Sequence, residues 1–377
     1  MARHIITRAA LGAAAVLAAV TIAAPEASAS TAQGHSGAVF VQTDSTTGNA
    51  VVAYDRSSDG TLKQAAVYRT GGLGGVLDGS VVDHQASQGS LAYDQRHQVL
   101  IATNSGSNTV TVFAVRGTRL IRIQTISSGG RFPVSVAVHG DRVYVLNALD
   151  GGSLQGYWNL GGHLVPLPGQ HRALGLDPTA APQFTHTPAQ VQFTPDGSHL
   201  VVATKAVGDS LMVYSVNTLL GLSAKPTVTS TGAGSVPFGF AFDRGGRVLL
   251  TEAGPNAVAS VRLDKAGRAT VSETVATGQA ATCWITVVGD YAYAANAGSG
   301  TITTYSVGHG RLDLIGQTPA SAGTIDLTAS SDGKFLYAQA GKDGEVDAFR
   351  IGRDGGLTSV GTVVVPDAVG GEGIVAS

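Results

Sequence analysis

The sequence predicts an all-β chain closed into a seven-bladed β-propeller. Three observations predict it. A strand–turn–strand pattern recurs along the chain, its spacing settles in the low forties, and the composition is rich in turn formers and poor in charge. Gly accounts for 51 of the 377 residues and charged residues for only 13%, which leaves few charged faces for helices and favours many tight turns.

The clearest copy of the pattern is residues 187–204 (TPAQVQFTPDGSHLVVAT): a short alternating strand, a Pro-Asp-Gly turn and a strand of β-branched residues. Its second strand recurs as VFVQT from Val39, VLIAT from Val99, VYVLN from Val143, LVVAT from Leu200, VLLTE from Val248, AYAAN from Ala292 and FLYAQ from Phe335. The starts are 60, 44, 57, 48, 44 and 43 residues apart. One such unit cannot bury its own apolar faces, so the copies must pack on each other. A period in the low forties with four strands per unit is the pattern of a propeller. A third strand follows each second strand, as in TVTVF from Thr109 and TITTY from Thr301, and a weaker fourth strand follows that.

The ends fit a ring. The first unit begins directly at its second strand, and the missing first strand is supplied by GIVA at residues 373–376. Pairing of that C-terminal strand with the N-terminal one removes the open edge. Two connections are too long for simple turns, residues 69–89 and 166–187, and both read as irregular loops.

The first residues read as a targeting segment. Arg3, His4 and Arg8 precede an apolar run over residues 9–24 and an Ala-Ser-Ala site at 27–29. This predicts a signal peptide over 1–29, export to the extracellular space, and a single propeller domain over 30–377 with no membrane association after cleavage. Cys283 is the only cysteine, which excludes an intrachain disulfide and a cysteine zinc site. The formal net charge of −2 provides no field for nucleic acid.

Antiparallel pairing places the starts of the first strands and the ends of the second strands on one face. That face is the expected site, at one mouth of the central channel. The second-strand ends are Thr43, Thr103, Asn147, Thr204, Glu252, Asn296 and Gln339. Polar residues there also serve the following turn. Glu252 is the one carboxylate in the ring, on a strand otherwise of Val, Leu and Thr, and needs solvent, a partner or a ligand. His186 is the candidate acid or base beside it. Arg131, Gln190, Asn147, Asn296 and Trp284 are candidate ligand contacts. No metal or cofactor motif is present, although Glu252, Asn147 and Asn296 are conceivable oxygen ligands.

The chain resembles the lactonase family of seven-bladed propellers, which includes 6-phosphogluconolactonase-like proteins and carboxymuconate cyclases, and it looks like an exported, actinobacterial-type member. The resemblance rests on VQFTPDG from Val191, YAANAG from Tyr293 and GEGIV from Gly371. It implies a lactonase-like hydrolase or cyclase acting on a small lactone at the channel mouth. The site motifs depart from the family pattern. Ala189 stands where the resemblance places the second His of blade four, and Phe238 and Gly239 stand where it places the Arg and His of blade five. Glu252 matches the family's acidic residue. The alternative expectation is a propeller without catalysis that binds a small ligand, a glycan or a protein partner.

Overall fold

The structure is a computed structural model that describes residues 1–2, 37–217 and 221–377. The expected signal peptide at 1–29 lies almost wholly outside the described residues. The rest folds into seven antiparallel sheets. In chain order the first strands of blades two to seven are Leu91–Asp94, Pro133–His139, Gln190–Phe193, Pro237–Phe242, Thr282–Val288 and Thr324–Ala329. Blade one takes its first strand from Ile374–Ala376, which pairs antiparallel with Gly37–Gln42 through Val39, Phe40 and Val41. Each first strand meets the first strands of both neighbouring blades, so the ring closes as the sequence predicts.

The second strands are almost fully buried, whereas the fourth strands, at the outer edge of each blade, are mostly half-buried or exposed. A bulge recurs where the third strand meets the fourth, at Ala53/Tyr54, Val112/Phe113, Ser260/Val261, Thr304/Tyr305 and Ala348/Phe349. It adds the local twist each blade needs. Tyrosines bolt blade to blade. The Tyr157 hydroxyl donates to Ser127 O of blade two at 2.6 Å, and that of Tyr305 to Val275 O of blade five at 3.1 Å. Tyr337 reaches Gly60 O of blade one and Tyr293 reaches Gly355 O of blade seven, both at 3.0 Å.

Two sequence expectations need correction. Residues 166–173 are not loop. They belong to the strand His163–Ala173, which pairs with Ser153–Leu160 as the outer strand of blade three, so the irregular segment begins at Leu174. The polar ring is also offset in two blades. Leu100 pairs with Phe113 and Leu336 with Phe349, as Leu200 pairs with Tyr214 and Val248 with Val261. The column equivalent to Glu252 is therefore Thr43, Asn104, Asn147, Thr204, Glu252, Asn296 and Ala340, with Asn104 and Ala340 replacing Thr103 and Gln339.

Candidate functional site

The mouth of the central channel is filled by the chain itself. Residues 70–89, the plug, leave blade one and cross the channel before entering blade two. Gln85, Ala86, Ser87 and Gln88 are all buried. Gln88 reaches blade six, where its Nε2 donates to Ile285 O at 2.8 Å and its Oε1 accepts from Ile285 N at 3.1 Å. Its backbone N donates to Ala189 O at the start of blade four. Ser87 Oγ donates to Val134 O of blade three, and Ser87 O accepts from Trp284 Nε1 at 2.7 Å. The C-terminal segment holds the plug from behind: Glu372 accepts from Gly89 N at 2.9 Å and from Ser87 Oγ at 3.2 Å. Glu372 also shares a hydrogen bond with Asp326. Burial and the neighbouring Asp326 and Asp83 hold the Glu372 carboxyl well above its usual range.

The plug accounts for the altered motif positions. Ala189 is fully buried under it, and a Cβ at Gly239 would collide with the Gln88 side chain and the Cys283 carbonyl. The space that a histidine at position 239 would need is occupied by Gln88.

The open site lies beside the plug, over blades four to six. It is a cavity of ≈ 380 Å³ between the plug and residues 174–189, the flap. Phe184, Phe238 and Trp284 contribute aromatic walls; Phe238 and Trp284 meet edge to face at 5.1 Å. Asp83, Lys205 and Cys283 contribute the buried polar groups. Lys205 follows the polar column by one residue, where the other blades carry Asp44, Ser105, Ala148, Ala253, Ala297 and Gly341. It is fully buried, in left-handed backbone (φ 53°). Its Nζ donates to Ala86 O of the plug at 2.7 Å and to Phe184 O of the flap at 2.6 Å, and sits 5.3 Å from the Phe238 ring centroid. Asp83 accepts from Gln85 N, Ala86 N and Ser87 N, each at 2.9 Å. Burial pushes Asp83 up to about 7 and Lys205 down to about 7, and each charge opposes that shift in the other. Burial likewise pushes the Cys283 thiol up to about 12, which makes it an inert wall.

The sequence-predicted residues are scattered around this cavity. Trp284 lines it. Glu252 is buried but is not among the lining residues, and burial raises its carboxyl. Elsewhere in its column, Asn104, Asn147 and Asn296 donate to hydroxyls of the next strand, Thr109 and Thr111, Ser153, and Thr301 and Thr303. Glu252 faces Ala257 across the ladder, which carries no hydroxyl. His186 is turned into the flap, its Nδ1 against Thr185 Oγ1 at 2.9 Å and Pro182 O at 3.1 Å. Gln190 ties blade four to blade five through Phe240 N at 2.6 Å and Phe240 O at 3.0 Å. Arg131 pairs with Asp150 at 2.9 Å in solvent. Among the described residues no group of three or more His, Cys, Asp or Glu is placed to hold a metal.

A groove of ≈ 490 Å³ on the opposite face, between blades five and six, is less suited to a ligand. Its buried cation, Arg247, is committed to Asp243 Oδ2 and Val307 O, both at 2.6 Å.

The comparisons agree with this fold. Residues 256–370 match the family model "Lactonase, 7-bladed beta-propeller". The chain is a seven-bladed β-propeller whose C-terminal third is similar to that family. Similar solved structures include the periplasmic gluconolactonase of Pseudomonas aeruginosa (18% identity, TM-score 0.70, 90% of this chain and 98% of that one). A Lactobacillus plantarum protein aligns at 20% identity and TM-score 0.70, over 90% and 98% of the two chains. A Bacteroides fragilis protein provisionally assigned as a 6-phosphogluconolactonase aligns at 17% identity and TM-score 0.69, over 92% and 99%. None of the curated protein sequences matches the chain. In this propeller, Lys205 and Phe184 are cavity residues that site reasoning on the sequence passed over. One signal was available for Lys205: in its column only it and Asp44 are charged.

Proposed function

We propose that this propeller takes a small lactone into the cavity between plug and flap and hydrolyses it there. The observation that carries this reading is a buried carboxylate and ammonium, Asp83 and Lys205, on the wall of an otherwise apolar cavity. Two of the three Lys205 N–H groups are committed to backbone carbonyls, leaving one to polarise the lactone carbonyl. Asp83 Oδ2 accepts one backbone N–H and has a lone pair left to take a proton from water. The water oxygen bonds to the carbonyl carbon, the ring C–O bond breaks, and the proton passes from Asp83 to the leaving alkoxide. Glu252 and His186 are given no part, since neither lines the cavity.

The test is turnover of a lactone panel with and without chelator. Asp83→Asn is expected to abolish turnover, Ala297→Leu to block it by filling the cavity, and Glu252→Gln and chelator to leave it intact. Turnover that survives both Asp83→Asn and Ala297→Leu overturns the assignment.

A second reading, binding without catalysis, is favoured by the hydrogen bonds that already engage both charged groups as a structural latch. It predicts ligand-dependent melting with no turnover. The N-terminal pattern supports export; recovery of protein lacking residues 1–29 from the medium of an expressing culture would test it.

A further inference from the structure

The walls of the cavity restrict what it accepts. The lining contains one cationic and one anionic side chain, Lys205 and Asp83, which offset each other. An anionic substrate would bring a third buried charge with no partner. The other polar side chains offer little: the Cys283 thiol is a weak donor, and Thr185 Oγ1 is engaged by His186 Nδ1 at 2.9 Å. A polyhydroxylated ring would leave several hydroxyls unpaired in an apolar space, each costing a hydrogen bond made in water. The remaining surface is Val81, Val82, Val236, Phe184, Phe238 and Trp284, interspersed with alanines. Phe238 stands where the resemblance places an arginine, so the position expected to hold an anion provides an aromatic face.

We infer that the substrate is an uncharged apolar lactone, aryl- or alkyl-substituted, with its carbonyl as the single polar contact, and that sugar lactones and their phosphates are excluded. The volume of ≈ 380 Å³ is at the small end of the range for small-molecule sites and suits one fused or singly substituted ring. Val81 forms part of the rim: it lines the cavity yet is 82% exposed, a position where a large apolar side chain gains little in the empty protein. The aromatic pair and the flap enclose the ring, and Lys205 sets its orientation. This inference rests on the cavity being the ligand site and goes further by naming its chemical class.

The experiment uses the mature protein and three probes: dihydrocoumarin as the apolar aromatic lactone, glucono-δ-lactone as the polyol, and 6-phosphogluconolactone as the anion. Calorimetric titration is expected to give dihydrocoumarin at least about tenfold tighter binding than either sugar lactone. Val81→Asp is expected to weaken dihydrocoumarin by about fivefold or more while the melting temperature of the empty protein stays unchanged. The infrared carbonyl stretch of bound dihydrocoumarin is expected to shift to lower wavenumber, and Lys205→Met to abolish the shift. Equal or tighter binding of a sugar lactone overturns the inference, as does dihydrocoumarin binding that is unaffected by Ala297→Leu. Dihydrocoumarin binding without turnover leaves the substrate class standing and removes hydrolysis. Turnover of glucono-δ-lactone that is blocked by Ala297→Leu does the reverse. If Lys205→Met does not fold, Val81→Asp and Ala297→Leu decide the matter.

Discussion

The plug and the flap look alike in sequence and differ in structure. Both are long, aperiodic connections from the fourth strand of one blade to the first strand of the next, and both run over the same face. The plug is core: Leu77 and residues 85–88 are buried, and its side chains bond to blades three and six. The flap is largely surface, with residues 177–179, 181 and 182 exposed. It is held mainly at its two ends, by Leu174 N and Leu176 N on the Gly152 and Gly151 carbonyls, and by Phe184 N on Asp78 O. The difference teaches that loop length alone does not mark a lid. What decides is whether side chains within the loop can satisfy backbone groups across the channel; Gln88 and Ser87 do so, and no flap side chain spans an equivalent distance.

The largest expected effect comes from the group the two loops share. Lys205→Met removes the donor to both Ala86 O and Phe184 O and leaves Asp83 without its counter-charge. A loss of about 3–5 kcal/mol is expected in urea unfolding. A change well below that would mean that plug and flap are held independently.

Gln88→Leu comes next. It leaves the N–H and C=O of Ile285 without their side-chain partner, at about 2 kcal/mol, whereas Gln183→Ala in the flap, which removes one partly exposed bond to Asp78 N, is expected to cost under about 1 kcal/mol. Equal costs would erase the distinction between the loops.

A pH profile sharpens it further. The folded Glu372 carboxyl is raised above its ordinary 4.5, so the folded state holds a proton the unfolded chain releases. Its contribution is complete below that pH and is lost as pH rises. Asp326, pushed up to about 6, and Asp83, pushed up to about 7, act in the same direction. Stability is therefore expected to fall from about pH 4 towards neutrality. Glu372→Gln keeps a donor for Asp326 and an acceptor for Gly89 N, removes one titration and flattens the slope. An unchanged slope in denaturant titrations across that window would refute the raised Glu372 carboxyl.

A modest effect on stability belongs to Phe184→Ala in the flap. Its half-buried ring is expected to contribute about 1 kcal/mol to folding but a larger share of ligand affinity, read by melting with and without dihydrocoumarin.

Most of the ring was legible in the sequence because every blade repeats one local solution. The Pro-Asp-Gly turn at 195–197, the β-branched second strands and the orphan strand at 373–376 each carry their own signal. The site was less legible because it is assembled from non-repeating parts. Asp83 and Lys205 lie far apart in the chain and meet only because the plug folds back over blade four. Neither stands in a motif. The polar ring was legible as a pattern but not as a role: Asn147 and Asn296 serve the next strand's hydroxyls, and the reading of blades two and seven was one residue out because the polar Thr103 and Gln339 stand directly before the column members Asn104 and Ala340. The outer strand of blade three was missed because His163–Ala173 contains two prolines and a glycine, residues that an edge strand tolerates and a central strand does not.

The C-terminal segment has a consequence for the order of assembly. Blade one lacks its innermost strand until Ile374–Ala376 arrives, and Glu372, which holds the plug from behind, arrives in the same stretch. The plug is made within the first quarter of the chain and its anchor among the last six residues. During synthesis the early blades therefore wait with an unpaired edge, and the ring, its channel and the cavity wall formed by Asp83 and Ala86 are completed in one late, long-range event. A chain shortened by six residues would lose the latch and the clasp together.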